Sequence, residues 1–398
     1  MRAGVEAADT TGKSRRLRRA FISYFTAGWS GENIPRASHV IAAMLGLATP
    51  IALGVMSGHS RMGMVASLGG LALGGAGMGE AFREQVPRLL YTLSAGSMAM
   101  LIGSAIAGHG ALNAFATVGI AAVAALLGSI SRPLARATTQ FMLFAIIAAN
   151  LGAGEAHPLG IMALFFLGAA WTVGLSLVLR PLFRAMHLQR ISTIPDVPPP
   201  KRYTARQLLR RWWKSLARLP GWQYTLRITL CLIAAQGFDW LWPHHHGYWA
   251  LITVIIVVQR DLQAALKRTV QRGAGTAVGV ILTSLFLLEP SSIWGTVLVI
   301  AVLAAARPIL MEVNYAAYAA VQTPLVIFLL DFGQEPSWAV VVDRLAATLF
   351  GCLLALTLGY LMWSRLSPPP GVVVESKGDL ASDAKARILE SGQVDPSG

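Results

Sequence analysis

Long apolar stretches alternate with short polar turns about twelve times along this chain, and nearly every Lys and Arg falls in every second turn. Positive charge beside a hydrophobic span stays on the cytoplasmic side of a membrane, so charge segregated in this way encodes a topology. A soluble core does not explain the pattern. Only 13% of the residues are charged, against roughly 25% in soluble domains. The formal net charge of +14 lies beside hydrophobic spans. Anionic headgroups are therefore its expected partner, and with no basic face or stacking platform, nucleic acid is not.

A helix needs about 20 apolar residues to cross the hydrocarbon core. Spans are read near 37–56, 62–80, 89–107, 111–130, 136–152 and 159–179, then 224–242, 246–260, 269–288, 292–306, 313–331 and 338–363. With the N-terminus inside, the inner turns hold Arg83 and Arg88, Arg132 and Arg136, a basic linker, Arg260 with Lys267, Arg268 and Arg272, then Arg307 and Arg365. The outer turns hold Glu155, Asp239, Glu289, Asp331 and Glu335, with Arg61 as the one clear base. An odd number of spans in either half would scramble this segregation. The expectation is an all-α polytopic membrane protein of about twelve transmembrane helices, in a bacterial inner membrane, with both termini cytoplasmic.

The domain reading follows. Residues 1–35 are a basic cytoplasmic N-terminus, read either as a tail or as an interfacial helix carrying Phe21, Tyr24, Phe25 and Trp29. They lack the compact apolar core of a cleavable signal, so the first span is expected to act as its own insertion signal. Residues 36–180 are a first six-helix repeat, 181–222 a basic linker, 223–365 a second repeat, and 366–398 a Pro-, Ser- and Asp-rich disordered tail. The stretch 180–227 holds eleven basic residues against Asp196 alone, and its Trp212–Trp213 pair suggests another interfacial helix. An offset of 184 places Arg83 on Lys267 and Arg88 on Arg272, and an offset of 175 places Arg132–Pro133 on Arg307–Pro308. Six spans per half give both halves one orientation, hence two parallel repeats about an axis along the membrane normal.

The second half reads Gly247-Tyr248-Trp249 through Thr253 to Gln259, then a polar stretch, then Arg272, Gly275, Thr276 and Gly279. This resembles the fusaric acid resistance family of bacterial inner-membrane proteins, which includes the aromatic carboxylic acid exporters. In that family a short span with a Tyr-Trp pair ends near Gln. A cytoplasmic turn follows, and Arg-x-x-Gly-Thr-x-x-Gly opens the next helix. This chain resembles a short form, with a linker and a short tail where those exporters carry large cytoplasmic domains. In its first half Leu68 and Gly69 stand where the aromatic pair falls in the second. The resemblance implies a transporter, proton coupling and a periplasmic adaptor partner. A homo-oligomer stays open.

Polar groups within spans are functional candidates because lipid penalises them. Arg83, Arg88, Lys267, Arg268 and Arg272 read either as orientation anchors or as a basic inner mouth that grips a carboxylate bidentately. Tyr248 and Trp249 read as walls of a passage or as interface belt residues. Gln322, with Gln140 and Asn150, offers neutral polar groups for a path or for helix-to-helix hydrogen bonds. His59, His244, Asp343 and Arg344 are coupling candidates: the histidines can sense protons, and Asp343 and Arg344 read as a buried pair or as snorkelling side chains. No phosphate-binding loop, metal-ligand spacing or hydrolytic triad appears, so no ATP, metal, cofactor or enzymatic activity is expected. A basic inner mouth and an acidic outer face suit export of small organic anions, with a passive anion channel and a non-transporting scaffold as alternatives.

Overall fold

The computed structural model describes residues 37–73, 82–151, 157–185, 204–217, 219–241, 247–260, 262–287, 292–332 and 338–364. Among these residues every regular element is helical. The first half supplies α1 (Ala37–Met56), α2 (Ser60–Leu73), α3 (Phe82–Ile106), α4 (Ala111–Leu127), α5 (Arg132–Asn150) and α6 (Pro158–Ala185). The basic linker supplies α7 (Ala205–Leu216). The second half supplies α8 (Leu219–Leu241), α9 (Tyr248–Val257), α10 (Leu262–Leu287), α11 (Ile293–Val313), α12 (Tyr315–Leu330) and α13 (Trp338–Leu356). A π-helical turn, Thr357–Leu361, and the short helix Met362–Ser364 follow. The chain up to Tyr360 is one compact unit, and the residues from Leu361 belong to a second.

Among the described residues five helices are long and apolar enough to cross a membrane: α1, Leu89–Ile106 within α3, Pro158–Phe183 within α6, Ile293–Met311 within α11, and Trp338–Leu361. The sequence reading of twelve spans goes beyond that number for two physical reasons. Helices α2, α4, α9 and α12 are short. Helices α5, α8 and α10 carry cations in their N-terminal halves: Arg132 and Arg136, Arg227, and Lys267, Arg268 and Arg272. The turns that the sequence predicts at Arg132, Lys267 and Arg268 are helical: Arg132 opens α5, and Lys267 and Arg268 lie inside α10.

Local chemistry fixes several helix starts. Ser131 accepts from the Leu134 amide at 3.3 Å ahead of Pro133, Ser292 accepts from the Gly295 amide at 3.1 Å, and Asn314 accepts from Ala316 at 2.8 Å and Ala317 at 3.2 Å. Each cap satisfies amides that the first turn leaves unpaired. Packing between helices relies on small residues, which let backbones meet where lipid supplies no hydrophobic drive. A Cβ on Gly168 would strike the Ala66 backbone. One on Gly351 would lie 2.9 Å from the Ala250 carbonyl oxygen, and one on Gly279 2.6 Å from that of Ala320.

The helix contacts follow one scheme in both halves. Helix α1 packs on α2 and α6, α2 on α3 and α6, α3 on α5 and α6, and α4 on α5. In the second half α8 packs on α9 and α13, α9 on α10 and α13, α10 on α12 and α13, and α11 on α12. Between the halves α4 meets α8, α1 meets α11, and α5 meets α9. Arg307 of α11 adds a bond across this seam, Nη1 donating to the Leu71 carbonyl at 2.8 Å.

Candidate functional site

Helix α9 lies at the centre of the second half, enclosed by α5, α8, α10 and α13. From Trp249 to Ile255 every residue is buried. Its ten residues extend only about 15 Å, half of the roughly 30 Å hydrocarbon core. A short apolar segment within a span points to a binding site, because the rest of the crossing is left to polar groups lining a cavity.

The end of α9 is held by side chains. Val258 turns to an extended conformation, and Gln259 reaches back, Nε2 donating to the Ile256 carbonyl at 2.8 Å. Arg268 of α10 donates from Nη1 to Gln259 Oε1 at 3.2 Å, and its guanidinium lies 4.5 Å from the centre of the Tyr315 ring. One amide thus caps a helix and anchors a cation. Gln259→Leu would leave both the carbonyl and the guanidinium short of a partner. We expect a loss of about 2–4 kcal/mol in stability, read as a lower melting temperature of the purified protein.

One turn beyond Arg268 on α10 is Arg272, which is 1% exposed. Arg344 of α13 is 2% exposed, and its guanidinium lies 3.3 Å from the centre of the Trp249 ring. Arg272 and Arg344 are within electrostatic reach of one another, and Tyr248 and Asp331 act on Arg344 as well. Nε of Arg272, Nε and Nη1 of Arg344 and Nε1 of Trp249 are all buried and find no acceptor among the described residues. The hydroxyls of Thr276 and Thr348, one turn on from Arg272 and Arg344, also lack partners. Burying one unpaired guanidinium is costly, and two in proximity repel each other. Such a cluster of donors without acceptors is a place where an anion is stabilised.

Arg307 completes the cationic set. Its guanidinium lies 5.9 Å from the Tyr318 ring centre, and its charge acts on the Tyr318 hydroxyl together with those of Arg272 and Arg268. Among the described residues none of Arg268, Arg272, Arg307 and Arg344 forms an ion pair with a carboxylate. Arg227 of α8 is also 1% exposed, and its Nε donates at 2.6 Å to the Gly359 carbonyl in the π-helical turn. Sequence reading did not single out Arg227. The available signal was an arginine within an apolar run, Tyr224 to Ile233.

The structure therefore brings Trp249, Arg268, Arg272 and Arg344 into one region. Tyr248 stands beside it, its ring 4.8 Å from that of Trp249. Gln322 on α12 is half-buried with Oε1 unpartnered, as is Oε1 of Gln140 on α5. Lys267 is exposed, and Asp343 is half-buried beside Arg344 in sequence. His59 is exposed at the start of α2, with Nδ1 2.7 Å from the Ser57 carbonyl oxygen, away from α9. Arg83 and Arg88 lie in the first turns of α3, but their side chains fall outside the described residues. His244, Glu155, residues 1–35 and the tail from residue 365 also lie outside them. Among the described residues no group of three His, Cys, Asp or Glu is placed to hold a metal ion.

Among the described residues the first half carries no such cluster. Gly168 packs on Ala66 as Gly351 packs on Ala250. Counting from those contacts, Ile161 stands where α13 has Arg344, and Val65 stands where α9 has Trp249. Both are buried in the apolar core.

Comparison with known proteins falls on this same half. The profile of a family described as Fusaric acid resistance protein-like matches residues 230–358. The inner membrane protein YccS of Escherichia coli (strain K12) is 26% identical over 141 residues, covering 35% of this chain. The match spans only about a fifth of YccS, 20% of its length. No solved structure matches the chain. Over residues 230–358, the segment that holds α9, Arg272 and Arg344, this membrane protein is similar to the fusaric acid resistance protein-like family.

Proposed function

We propose that the chain is an inner-membrane transporter that exports small organic anions, aromatic carboxylates in particular, through its second half. The observation that carries this reading is the buried cluster of Arg272, Arg344 and Trp249, in which four donor nitrogens have no acceptor among the described residues. A carboxylate between the guanidiniums would satisfy them, and a flat ring would stack against Trp249 or Tyr248. Arg268 and Arg307 form the inner approach. The membrane potential, negative inside, favours an outgoing anion by about 2.3 kcal/mol per charge per 100 mV. In this reading proton-motive force supplies the drive. Asp331, which acts on both Arg344 and Tyr248, is placed to take part in coupling.

The architecture we propose is twelve helices in two parallel six-helix repeats, with both termini cytoplasmic. The shared contact scheme of the halves and the reciprocal α4–α8 and α1–α11 contacts support it. In this reading only the second repeat keeps the anion site, and the aliphatic Ile161 and Val65 close its counterpart.

The test is efflux of preloaded aromatic acids from cells expressing the chain, against Arg272→Ala and Arg344→Ala at matched membrane abundance. Faster efflux than in empty cells, lowered at least ten-fold by either substitution, is the expected result. An uncoupler that abolishes uphill efflux identifies a coupled exporter, and efflux that only follows the gradient identifies a channel. Efflux equal to empty cells across a broad acid panel would reject the proposal.

A further inference from the structure

Helix α7 has three distinct sides. Its capping box, in which Thr204 and Gln207 exchange bonds at 3.1 and 3.4 Å, starts it firmly. One side, Leu208, Trp212 and Leu216, turns toward the protein and is half-buried. There Trp212 Nε1 donates to Ser129 Oγ at 2.8 Å and to the Leu126 carbonyl at 3.3 Å, at the last turn of α4. The adjoining side presents Leu209 and Trp213, 53% and 69% exposed. The third side is a stripe of exposed cations at four-residue spacing, Arg206, Arg210 and Lys214. No acidic residue lies between Thr204 and Ala217.

An exposed apolar flank beside a cationic stripe matches the boundary of an anionic leaflet, where hydrocarbon and phosphate lie side by side. An exposed Trp213 next to the cations, on a helix already anchored through its other face, fits the headgroup level, where indole rings settle.

The α4 terminus that receives Trp212 has a second occupant. Arg260, the residue after Gln259, donates from Nη2 to the Ala125 carbonyl at 3.2 Å, and its guanidinium lies 4.2 Å from the centre of the Tyr224 ring. Gly128 leaves it room: a Cβ there would lie 2.5 Å from Arg260 Nη2. The linker helix and the turn that closes α9 thus rest on adjacent carbonyls of one helix end.

We propose that α7 binds anionic phospholipid headgroups through Arg206, Arg210 and Lys214, and that Trp212 passes this contact through the end of α4 to Arg260 and the 258–260 segment. Neither part depends on what the chain transports.

The binding test uses the purified full chain, delipidated in neutral detergent and titrated with short-chain phosphatidylglycerol or phosphatidylcholine. The wild-type chain should prefer phosphatidylglycerol. The triple variant R206Q/R210Q/K214Q should lose roughly a hundred-fold in affinity for it, with an unchanged circular dichroism melt because all three side chains are exposed. The control R132Q/R136Q, which removes two charges at the same end of the bundle, should lose much less than two-thirds of that effect in free energy. Equal binding by the wild-type and triple-variant chains, or no preference over phosphatidylcholine, would overturn the lipid assignment. The coupling test is hydrogen exchange of residues 257–262 with and without phosphatidylglycerol. Slowing in the wild type that disappears in Trp212→Phe, which keeps the ring and loses the donor, is expected. An unchanged exchange rate, or slowing retained in Trp212→Phe, would overturn the coupling.

Discussion

Arg344→Gln is expected to weaken binding of an aromatic carboxylate by about thirty-fold without lowering the melting temperature of the protein. The two halves of this expectation have different causes. A charge-assisted hydrogen bond lost from a buried site is worth about 1.5–3 kcal/mol, or ten- to a hundred-fold in affinity. Arg344 makes no compensating ion pair among the described residues, and two of its nitrogens lack partners. Removing it therefore relieves a desolvation penalty rather than breaking a stabilising network. Arg344→Lys separates charge from shape. It keeps the cation but gives up the flat stack on Trp249 at 3.3 Å, so binding should fall between that of wild type and Arg344→Gln. Isothermal titration and a thermal melt on the same three proteins decide the matter. A lower melting temperature with unchanged binding would make Arg344 a packing residue and remove the basis for an anion site.

The second large effect is on assembly. Gly275→Leu and Gly279→Leu are each expected to cost about 3 kcal/mol, the upper part of the usual range for overpacking, and the pair together should abolish a monodisperse folded species. At Gly275 a Cβ would collide with the Ala316 carbonyl and sit 2.7 Å from the Ala319 Cβ. At Gly279 it would meet the Ala320 carbonyl and the Thr323 side chain. These neighbours are backbone and short side chains, so relief requires α12 to move away from α10. The control is Gly119→Leu on α4, where nothing lies within 4 Å of the added Cβ. Size-exclusion chromatography and membrane abundance should separate the first two variants from the third. Equal behaviour of all three would show that α10 and α12 tolerate separation.

Much of this organisation is legible in the sequence because hydropathy and charge act locally. The apolar runs mark most helices, and Trp249, Gln259 and Arg272 stand out within a short recognisable stretch. The contacts of Trp249 and Gln259 do not follow from it. Arg344 lies nearly a hundred residues beyond Trp249, and nothing in spacing or periodicity joins α13 to α9. Arg227 is a single cation in an apolar run, and only the fold reveals the Gly359 carbonyl opposite it. The placement of Lys267 and Arg268 differs for another reason. Their polarity suggested a turn, but the helix begins at Leu262 and continues through them. Arg268 and Arg272 lie one helical turn apart, so they share a face.

The stack of Arg344 on Trp249 also bears on how the protein is made. An arginine within a span costs about 2.5–3.5 kcal/mol to insert at the helix centre. Helix α13 leaves the ribosome with that cation uncompensated, and the ring that receives it was synthesised nearly a hundred residues earlier. The last span can therefore settle only against an α9 already in place. The order of synthesis becomes an order of assembly, in which the short central helix serves as the template for the one that follows.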